Sequence, residues 1–322
     1  MIKGYWQVVA RSSEIGLKPK RVWLLGNPVV LFRTKNGIHA LHDRCPHRHA
    51  ELSKGRVSKN TIECPYHGWR FDEDGVCVEI PGCLTDLPKI RVPNYSVCEK
   101  DGGIFLSKHP MQNAPYVHVL TGQSHVVRMV KSKTQSTLID VAENILDATH
   151  THFTHKGLLR GLSQKRHLVQ VELVTGEDWL EITYTGEDRQ DGIISRFFDG
   201  DRVKTVGRYR RPGIAELEYW GTKGLVLATT FHLRQVSLDT VEGIGWLTGP
   251  RSGGLGHLKA LIFAPFFKIA LEQDRRVLQS AFNNAQSAEP LIGPLDFLRR
   301  DIEAIEAGQS TTYGPRHFEM LL

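Results

Sequence analysis

The chain has 322 residues, is 40% hydrophobic and 24% charged, and contains 15 histidines but only five cysteines, with a net charge of +6. This composition excludes collagen-like, disordered and disulfide-rich secreted proteins. The cysteines are too few for a disulfide framework and the first residues lack the apolar core of a signal peptide, so we expect a cytoplasmic protein. The longest apolar stretch, 258–271, is short and is interrupted by Lys259, Pro265 and Lys268. We therefore expect no membrane span.

The first hundred residues contain short β-branched and aromatic runs separated by turn residues. The predicted strands are WQVVA, VWLL, PVVLFRT, IHALHD, TIECP and GIFLS. This spacing, without a helical period, predicts a small antiparallel β domain. Residues 107–117 carry two prolines among polar residues and predict a linker, so we expect domains at 1–115 and 116–322. All of the net charge lies in the first of these, which has 17 basic and 11 acidic residues.

The second domain mixes helices and strands. Apolar residues at helical spacing predict a helix over 138–150, and two more over 258–285 and 295–307. The strand-like runs between them are HLVQVELVT, WLEITYTG, RYRR, AELEYW, LVLATTFHLRQV and GIGWLTG. We expect an α+β domain in which an antiparallel sheet wraps around a long C-terminal helix.

Two short segments each pair a cysteine with a histidine. They are Cys45-Pro46-His47 and, after sixteen intervening residues, Cys64-Pro65-Tyr66-His67. A mononuclear Cys₂His₂ zinc site is one interpretation, although such sites usually pair Cys with Cys and His with His. One cysteine and one histidine from each segment instead suit a dinuclear iron cluster, with thiolates on one iron and imidazoles on the other.

A second cluster of candidate ligands lies in residues 143–155. Asn144, Asp147 and His150 are three residues apart and would share one face of a helix. His150 and His155 are about 140° apart on an ideal helix, so they converge on one metal only if the helix ends or distorts near His150. Two histidines and a carboxylate are typical of non-haem Fe(II) that activates O₂. The alternative is a histidine-rich helix end that complements the helix dipole.

On these residues the chain resembles the Rieske non-haem iron oxygenases, the aromatic-ring-hydroxylating family. CPHRHA…CPYHGW is similar to the Rieske signature C-x-H then C-x-x-H, which implies that Cys45, His47, Cys64 and His67 hold a [2Fe–2S] cluster. Neither segment has the extra cysteine of respiratory Rieske proteins, so the resemblance is to the oxygenase type. It implies an N-terminal antiparallel β Rieske domain followed by a helix-grip (START-like) catalytic domain.

The segment N-x-x-D-x-x-H-x-x-x-x-H resembles the catalytic segment of the same family. The resemblance implies that His150 and His155 bind a mononuclear Fe(II), that Asp147 links the two metal centres, and that Asn144 lies near the open coordination position. Family members take the third ligand from a late helix in contexts such as E-x-D-R-x-x-L. Here 271–278 reads LEQDRRVL, which favours Asp274 over Glu272.

The resemblance also implies the reaction and the partners. We expect the terminal oxygenase component of a multicomponent system, of the short monooxygenase or demethylase-like type, using O₂ to hydroxylate or demethylate an apolar or aromatic small molecule. Because the chain has no G-x-G-x-x-G fingerprint, electrons come from a separate NAD(P)H-dependent reductase, with or without a ferredoxin. A homotrimer is expected and no nucleic-acid partner. The alternatives are ring cis-dihydroxylation and, less favoured, a Rieske electron carrier without catalysis.

Several apolar or aromatic side chains of the second domain are candidates for a substrate pocket. They are Phe153, Leu158, Phe198, Trp220, Phe231, His232 and Trp246.

Overall fold

The structure is a computed structural model that describes residues 4–158, 166–186, 202–251, 255–285, 291–309, 311 and 314–322. The chain divides into two compact units, Met1–Val117 and His118–Leu322. Within the described ranges, no helix combines the length and the apolar character needed to cross a membrane.

The first unit consists of three small antiparallel sheets. Its strands are β1 (Gln7–Arg11), β2 (Lys20–Leu24), β3 (Asn27–Thr34), β4 (Gly37–His42), β5 (Arg56–Ser58), β6 (Thr61–Glu63), β7 (Arg70–Phe71), β8 (Cys77–Glu79), β9 (Ser96–Lys100) and β10 (Gly103–Ser107). The sheets have the orders β1-β10-β9, β2-β3-β4 and β5-β6-β7-β8. The predicted antiparallel β domain is confirmed. Strands β5, β7, β8 and β9 were not predicted, and three of them have only two or three residues.

The second unit is built on one antiparallel sheet of eight strands. They are β11 (His125–Gln135), β12 (Leu168–Thr175), β13 (Trp179–Thr185), β14 (Arg202–Arg210), β15 (Ile214–Gly221), β16 (Gly224–Ser237), β17 (Thr240–Pro250) and β18 (Arg316–Leu321). Their order is β11-β17-β16-β15-β14-β13-β12-β18. The edge strands β11 and β18 are absent from the prediction. Strand β18 adds the end of the chain to β12 through pairs such as Val171 and Phe318.

Among the described residues, four helices accompany this sheet: α1 (Leu138–Leu146), α2 (Thr151–Thr154), α3 (Leu255–Asn284) and α4 (Arg299–Ala307). Helices α1, α3 and α4 share a hydrophobic core with one face of the sheet. Its members include Val141 and Leu146 from α1, Phe263 from α3 and Ile302 from α4. A long C-terminal helix against an antiparallel sheet is the predicted α+β arrangement, which is therefore confirmed.

The predicted helix over 138–150 is too long by four residues. It begins where the Thr137 side chain accepts a hydrogen bond from the Asp140 N–H, as at a typical N-cap. It ends at Leu146, because the Asp147 carboxylate accepts from the Thr149 N–H at 2.7 Å and from its hydroxyl at 2.8 Å. Such local side-chain bonds offer the backbone an alternative to the helix. The expectation that Asn144, Asp147 and His150 share one helix face is therefore wrong.

A glycine on β17 makes room for an aromatic side chain of the core. A Cβ on Gly245 would lie 2.5 Å from the Phe231 ring. We expect Gly245→Ala to displace this ring and to destabilise the protein by about 1–3 kcal/mol, as overpacking usually does. Gly249→Ala, where the nearest atom is 3.4 Å away, is the matched control. Thermal unfolding should show a lower Tm for the first variant only; equal Tm values would contradict this packing.

Candidate metal centres

The four Cys and His residues of the first constellation lie in two loops of the first unit. Cys45 and His47 follow β4, and Cys64 and His67 connect β6 to β7. In each loop the backbone N–H four residues after the cysteine donates to the cysteine carbonyl. The His49 N–H donates to Cys45 at 2.9 Å, and the Gly68 N–H donates to Cys64 at 3.1 Å. His49 and Gly68 have φ values of +60° and +71°, so both loops reverse tightly after their ligands.

The loops bring like ligands together. Both cysteines are buried, with 1% and 2% of their surfaces exposed, and their thiols contact each other. The rings of His47 and His67 are exposed and 4.6 Å apart between centroids. This separation, thiols inside and imidazoles outside, matches a dinuclear cluster with different ligands on its two irons better than a mononuclear zinc site.

The buried thiols need a compensating positive charge to ionise. Burial, followed by the neighbouring Cys64, raises the pKa of Cys45 to about 11 when no cation is present. The N–H groups of His47 and Arg48 point at its sulfur and favour the thiolate. Metal binding requires the thiolate, and a bound cation supplies the compensating charge. The four residues therefore fit a [2Fe–2S] cluster.

Neighbouring side chains hold these loops in place. The Trp69 ring stacks on His47, with centroids 4.7 Å apart and an interplanar angle of 7°. Buried Asp43, two residues before Cys45, accepts from the Ser53 N–H at 2.7 Å and from its hydroxyl at 2.6 Å. Arg21 donates to the same carboxylate. Sequence reasoning missed Asp43 because nothing near it in the chain indicates a partner ten residues away.

The second constellation comes together in the second unit. One ligand atom from each of His150, His155 and Asp274 lies within 4.8 Å of the others. Asp274 Oδ1 is 3.5 Å from His150 Nε2 and 3.0 Å from His155 Nε2. The break between α1 and α2 allows the two histidines to converge, as the spacing required. Asp274 lies on α3.

The electrostatics of this cluster favour a cation at its centre. Asp274 Oδ1 and His150 Nδ1 are buried and make no hydrogen bond of acceptable geometry among the described residues. Burial opposes charge on both groups, but their mutual attraction outweighs it. The pKa of Asp274 is lowered, and Asp147 and Asp274 raise the pKa of His150 to about 9. A metal would satisfy the orphaned oxygen, so the residues fit a two-histidine, one-carboxylate iron site.

Other predicted residues surround this cluster. Asp147 Oδ2 lies 3.6 Å from His150 Nδ1, on the side of the ring away from Asp274. Glu272 is turned away: it accepts hydrogen bonds from Arg275 and Arg276, which lower its pKa to about 2. Asn144 lies half-buried on α1, and no side-chain hydrogen bond joins it to the cluster among the described residues.

Sequence reasoning missed Gln273, whose Oε1 lies 2.9 Å from His155 Nδ1.

Strand register divides the predicted pocket residues between two faces of the sheet. Phe231 pairs with Gly245, whereas Trp246 pairs with Thr230, so Phe231 and Trp246 point to opposite faces. His232 packs against Trp246, with ring centroids 5.1 Å apart, and Trp220 donates to Glu218 on that same face. These three candidates therefore lie on the face of the sheet opposite to Phe231. Of the others, Leu158 packs on the core, Phe153 is 70% exposed, and Phe198 lies outside the described residues.

Phe231 belongs instead to an aromatic cluster in the core of the second unit. Its ring stacks on Phe267 at 6.1 Å, and Phe267 stacks on Phe263 at 5.7 Å. Phe263 and Phe267 precede Asp274 by eleven and seven residues on α3, so all three lie on nearly the same helical face. Phe231 and Phe263 are 4% and 8% exposed, so this cluster is a buried apolar environment about two turns of helix from Asp274.

Comparisons with known proteins identify the first unit and find relatives that cover about half of the chain. Residues 5–96 match the family model of the Rieske [2Fe-2S] domain. Over 193 residues the chain is 32% identical to methylxanthine N3-demethylase NdmB of Pseudomonas putida, covering 55% of this chain and 54% of that protein. Over 166 residues it is 30% identical to the 3-chlorobenzoate-3,4-dioxygenase oxygenase subunit of Comamonas testosteroni, covering 49% of this chain and 38% of that protein. The chain thus spans about half or less of the length of these curated relatives.

The fold is also that of a solved structure. NdmA of Pseudomonas putida CBB5 with caffeine superposes with a TM-score of 0.77 over 94% of this chain and 89% of that chain. The sequences are 20% identical in this comparison, so it establishes the common architecture. The predicted fold, a Rieske domain followed by a helix-grip domain, is confirmed.

Proposed function

We propose that this chain, which has a Rieske [2Fe-2S] domain and is similar to Rieske oxygenase subunits, is the terminal oxygenase component of a multicomponent system. The observation that carries this proposal is the cluster of His150, His155 and Asp274 in a chain that also has a Rieske domain. A Rieske electron carrier would have no use for a second site of this composition.

The protein's own residues have distinct roles in this proposal. When bound, the [2Fe–2S] cluster supplies single electrons, and the mononuclear Fe(II) binds and activates O₂ beside the substrate. Cys45, Cys64, His47 and His67 hold the first group, and His150, His155 and Asp274 hold the second. Asp147 orients His150 through Nδ1, as outer carboxylates commonly do for metal-bound histidines. Asn144 is proposed to lie near the open coordination position.

We further propose a homotrimer in which Asp147 connects His150 to His67 of the neighbouring chain. The contact of Asp147 with His150 supports one half of this link. The carboxylate keeps an oxygen at ion-pair distance from Nδ1 while its other bonds fix it to Thr149. It is therefore held rigidly where it could accept a second imidazole.

The proposed substrate class rests on the relatives and on the apolar environment near Asp274. Phe263 and Phe267, on the helix that carries Asp274, pack with Phe231 in an aromatic cluster of the core. We propose an apolar or aromatic small molecule, and monooxygenation (hydroxylation or demethylation) rather than ring cis-dihydroxylation. The demethylase among the relatives supports the first reaction, and the chlorobenzoate dioxygenase keeps the second as the alternative.

The proposed function is tested with the protein itself. The cluster and the iron are reduced without oxygen, candidate aromatic substrates are added, and one exposure to O₂ follows. We expect a hydroxylated or demethylated product from at least one substrate, in an amount limited by the iron centres. Oxidation of the cluster without any oxygenated product across the set would favour a carrier.

Electrons would come from a separate reductase, with or without a ferredoxin, and the first unit offers a basic surface for such a donor. A cavity of about 430 Å³ beside the Cys45 loop is lined by Arg44, Arg91, Lys108 and two histidines, and by no acidic side chain among the described residues. The three cationic residues are exposed. Their potential would attract an acidic ferredoxin towards the cluster loop.

We therefore expect reduction by an acidic ferredoxin to slow as ionic strength rises, since salt screens exposed charges. Arg91→Ala should lower the rate about twofold or more at low salt, as losing a charge at the edge of an interface usually does. Exposed Lys18, outside the cavity, provides the control variant Lys18→Ala. Reduction rates are measured by stopped flow. Rates that change neither with ionic strength nor with the Arg91→Ala substitution would rule out this docking surface.

A further inference from the structure

A glutamine of α3 lies beside the proposed iron site. Gln273 is the residue before Asp274 on α3, and it is half-buried. Its side-chain Oε1 lies 2.9 Å from Nδ1 of His155, a residue 118 positions earlier in the chain. Asp274 Oδ1 lies 3.0 Å from Nε2 of the same ring. Two successive residues of one helix therefore hold opposite edges of the His155 imidazole.

This contact decides which nitrogen of His155 faces the metal. A neutral imidazole carries its proton on one nitrogen and a lone pair on the other. An amide oxygen can only accept, so the contact with Gln273 places the proton on Nδ1 and leaves the Nε2 lone pair directed at Asp274 Oδ1 and the centre of the cluster. The ring is 2% exposed, so water does not compete for Nδ1.

The two histidines are thus oriented by different chemistry. His150 has the Asp147 carboxylate near its Nδ1, whereas His155 has a neutral amide. A carboxylate raises the basicity of the imidazole, while an amide fixes the tautomer with less effect on charge. His155 also receives both of its contacts from α3, so its orientation depends on the same helix that supplies the third ligand.

We propose that Gln273 is a positioning residue of the mononuclear iron site: it accepts the Nδ1 proton of His155 and presents Nε2 to the metal. This inference rests on the proposed function, in which His150, His155 and Asp274 are the ligands. It assigns no contact of Gln273 with substrate or O₂.

The test measures metal affinity rather than activity. Protein that keeps its cluster is stripped of mononuclear iron with a chelator and titrated calorimetrically with Co(II). Gln273→Leu removes the acceptor at similar volume, and Gln273→Glu restores one. Gln279→Leu is the matched control, because Gln279 also joins α3 to another element, donating to Gln135 at 2.6 Å.

We expect Gln273→Leu to weaken Co(II) binding about 10–100-fold, the usual effect of losing an outer partner of a metal-bound histidine. Gln273→Glu should bind within about threefold of the unaltered protein or more tightly. The Gln279→Leu control should bind normally. Unchanged affinity in Gln273→Leu overturns the inference, and so does equal weakening in Gln273→Glu, which would mean that an acceptor oxygen facing Nδ1 is not what supports metal binding.

Asp274→Asn separates this inference from the proposed function. If Asp274→Asn loses Co(II) while Gln273→Leu binds it normally, only the role of Gln273 fails. If Asp274→Asn also binds Co(II) normally, the iron site itself is wrong. An unchanged circular dichroism spectrum and an unchanged Tm show that each variant is folded in the second unit as well as in the first.

Discussion

Replacing Asp274 by asparagine should remove the mononuclear iron and abolish turnover. Asp274 Oδ1 faces both histidine Nε2 atoms, and the neutral amide would lose the charge that compensates a buried Fe(II). We expect metal affinity to fall by more than about 100-fold, beyond the range for outer partners. The cluster, held in the other unit, should keep its spectrum. Iron analysis of the purified variant and product formation measure the two effects.

Glu272→Gln is the matched control for this prediction. Glu272 lies two residues away on the same helix, but it is half-exposed and bonded to Arg275 and Arg276. Exposed pairs of this kind contribute little to stability. The variant should therefore retain iron and activity. If Glu272→Gln loses iron while Asp274→Asn retains it, Glu272 rather than Asp274 is the third iron ligand.

Replacing Asp147 by asparagine should leave both metal centres in place and still lower turnover about 10–100-fold, the range for outer partners of metal-bound histidines. Asp147 is not within the ligand cluster, but its Oδ2 faces His150 Nδ1 at 3.6 Å. An amide NH₂ at this position would face the ring proton and could not stabilise it. Iron content, cluster spectrum and product yield after a single exposure to O₂ test this combination.

Asp147 also shapes the turn after α1, and a second variant separates the two roles. Thr149→Val removes the hydroxyl that donates to Asp147 Oδ2 but leaves the carboxylate beside His150. We expect this variant to keep most of its turnover. Full activity in Asp147→Asn would refute the proposed link between the centres, and equal losses in both variants would assign the effect to the turn.

The ligand motifs were the part of this protein most open to sequence reasoning. Cys45, His47, Cys64 and His67 lie close in sequence to their partners, and short spacings restrict what a loop can bind. Asp274 is 119 residues from His155, and the spacing of residues alone did not connect them. Its selection over Glu272 came from the resemblance to a family, and the geometry at α3 supports that choice.

The features that sequence reasoning missed depend on contacts between distant elements. The end of α1 at Leu146 depends on the Asp147 side chain, whereas apolar periodicity continued to His150. Phe231 and Trp246 point to opposite faces of the sheet because of the register between their strands. The sequence of one strand does not specify this register without its partner. Gln273 is unremarkable in sequence because its partner, His155, becomes its neighbour only after folding.

The most direct measurement is the ratio of iron to acid-labile sulfide in the purified protein. We expect three irons and two sulfides per chain, because the proposed sites would bind a [2Fe–2S] cluster and one mononuclear iron. Asp274→Asn should give two of each. Two irons and two sulfides in the unaltered protein, unchanged after anaerobic addition of Fe(II), would contradict the second iron site and leave only an electron carrier.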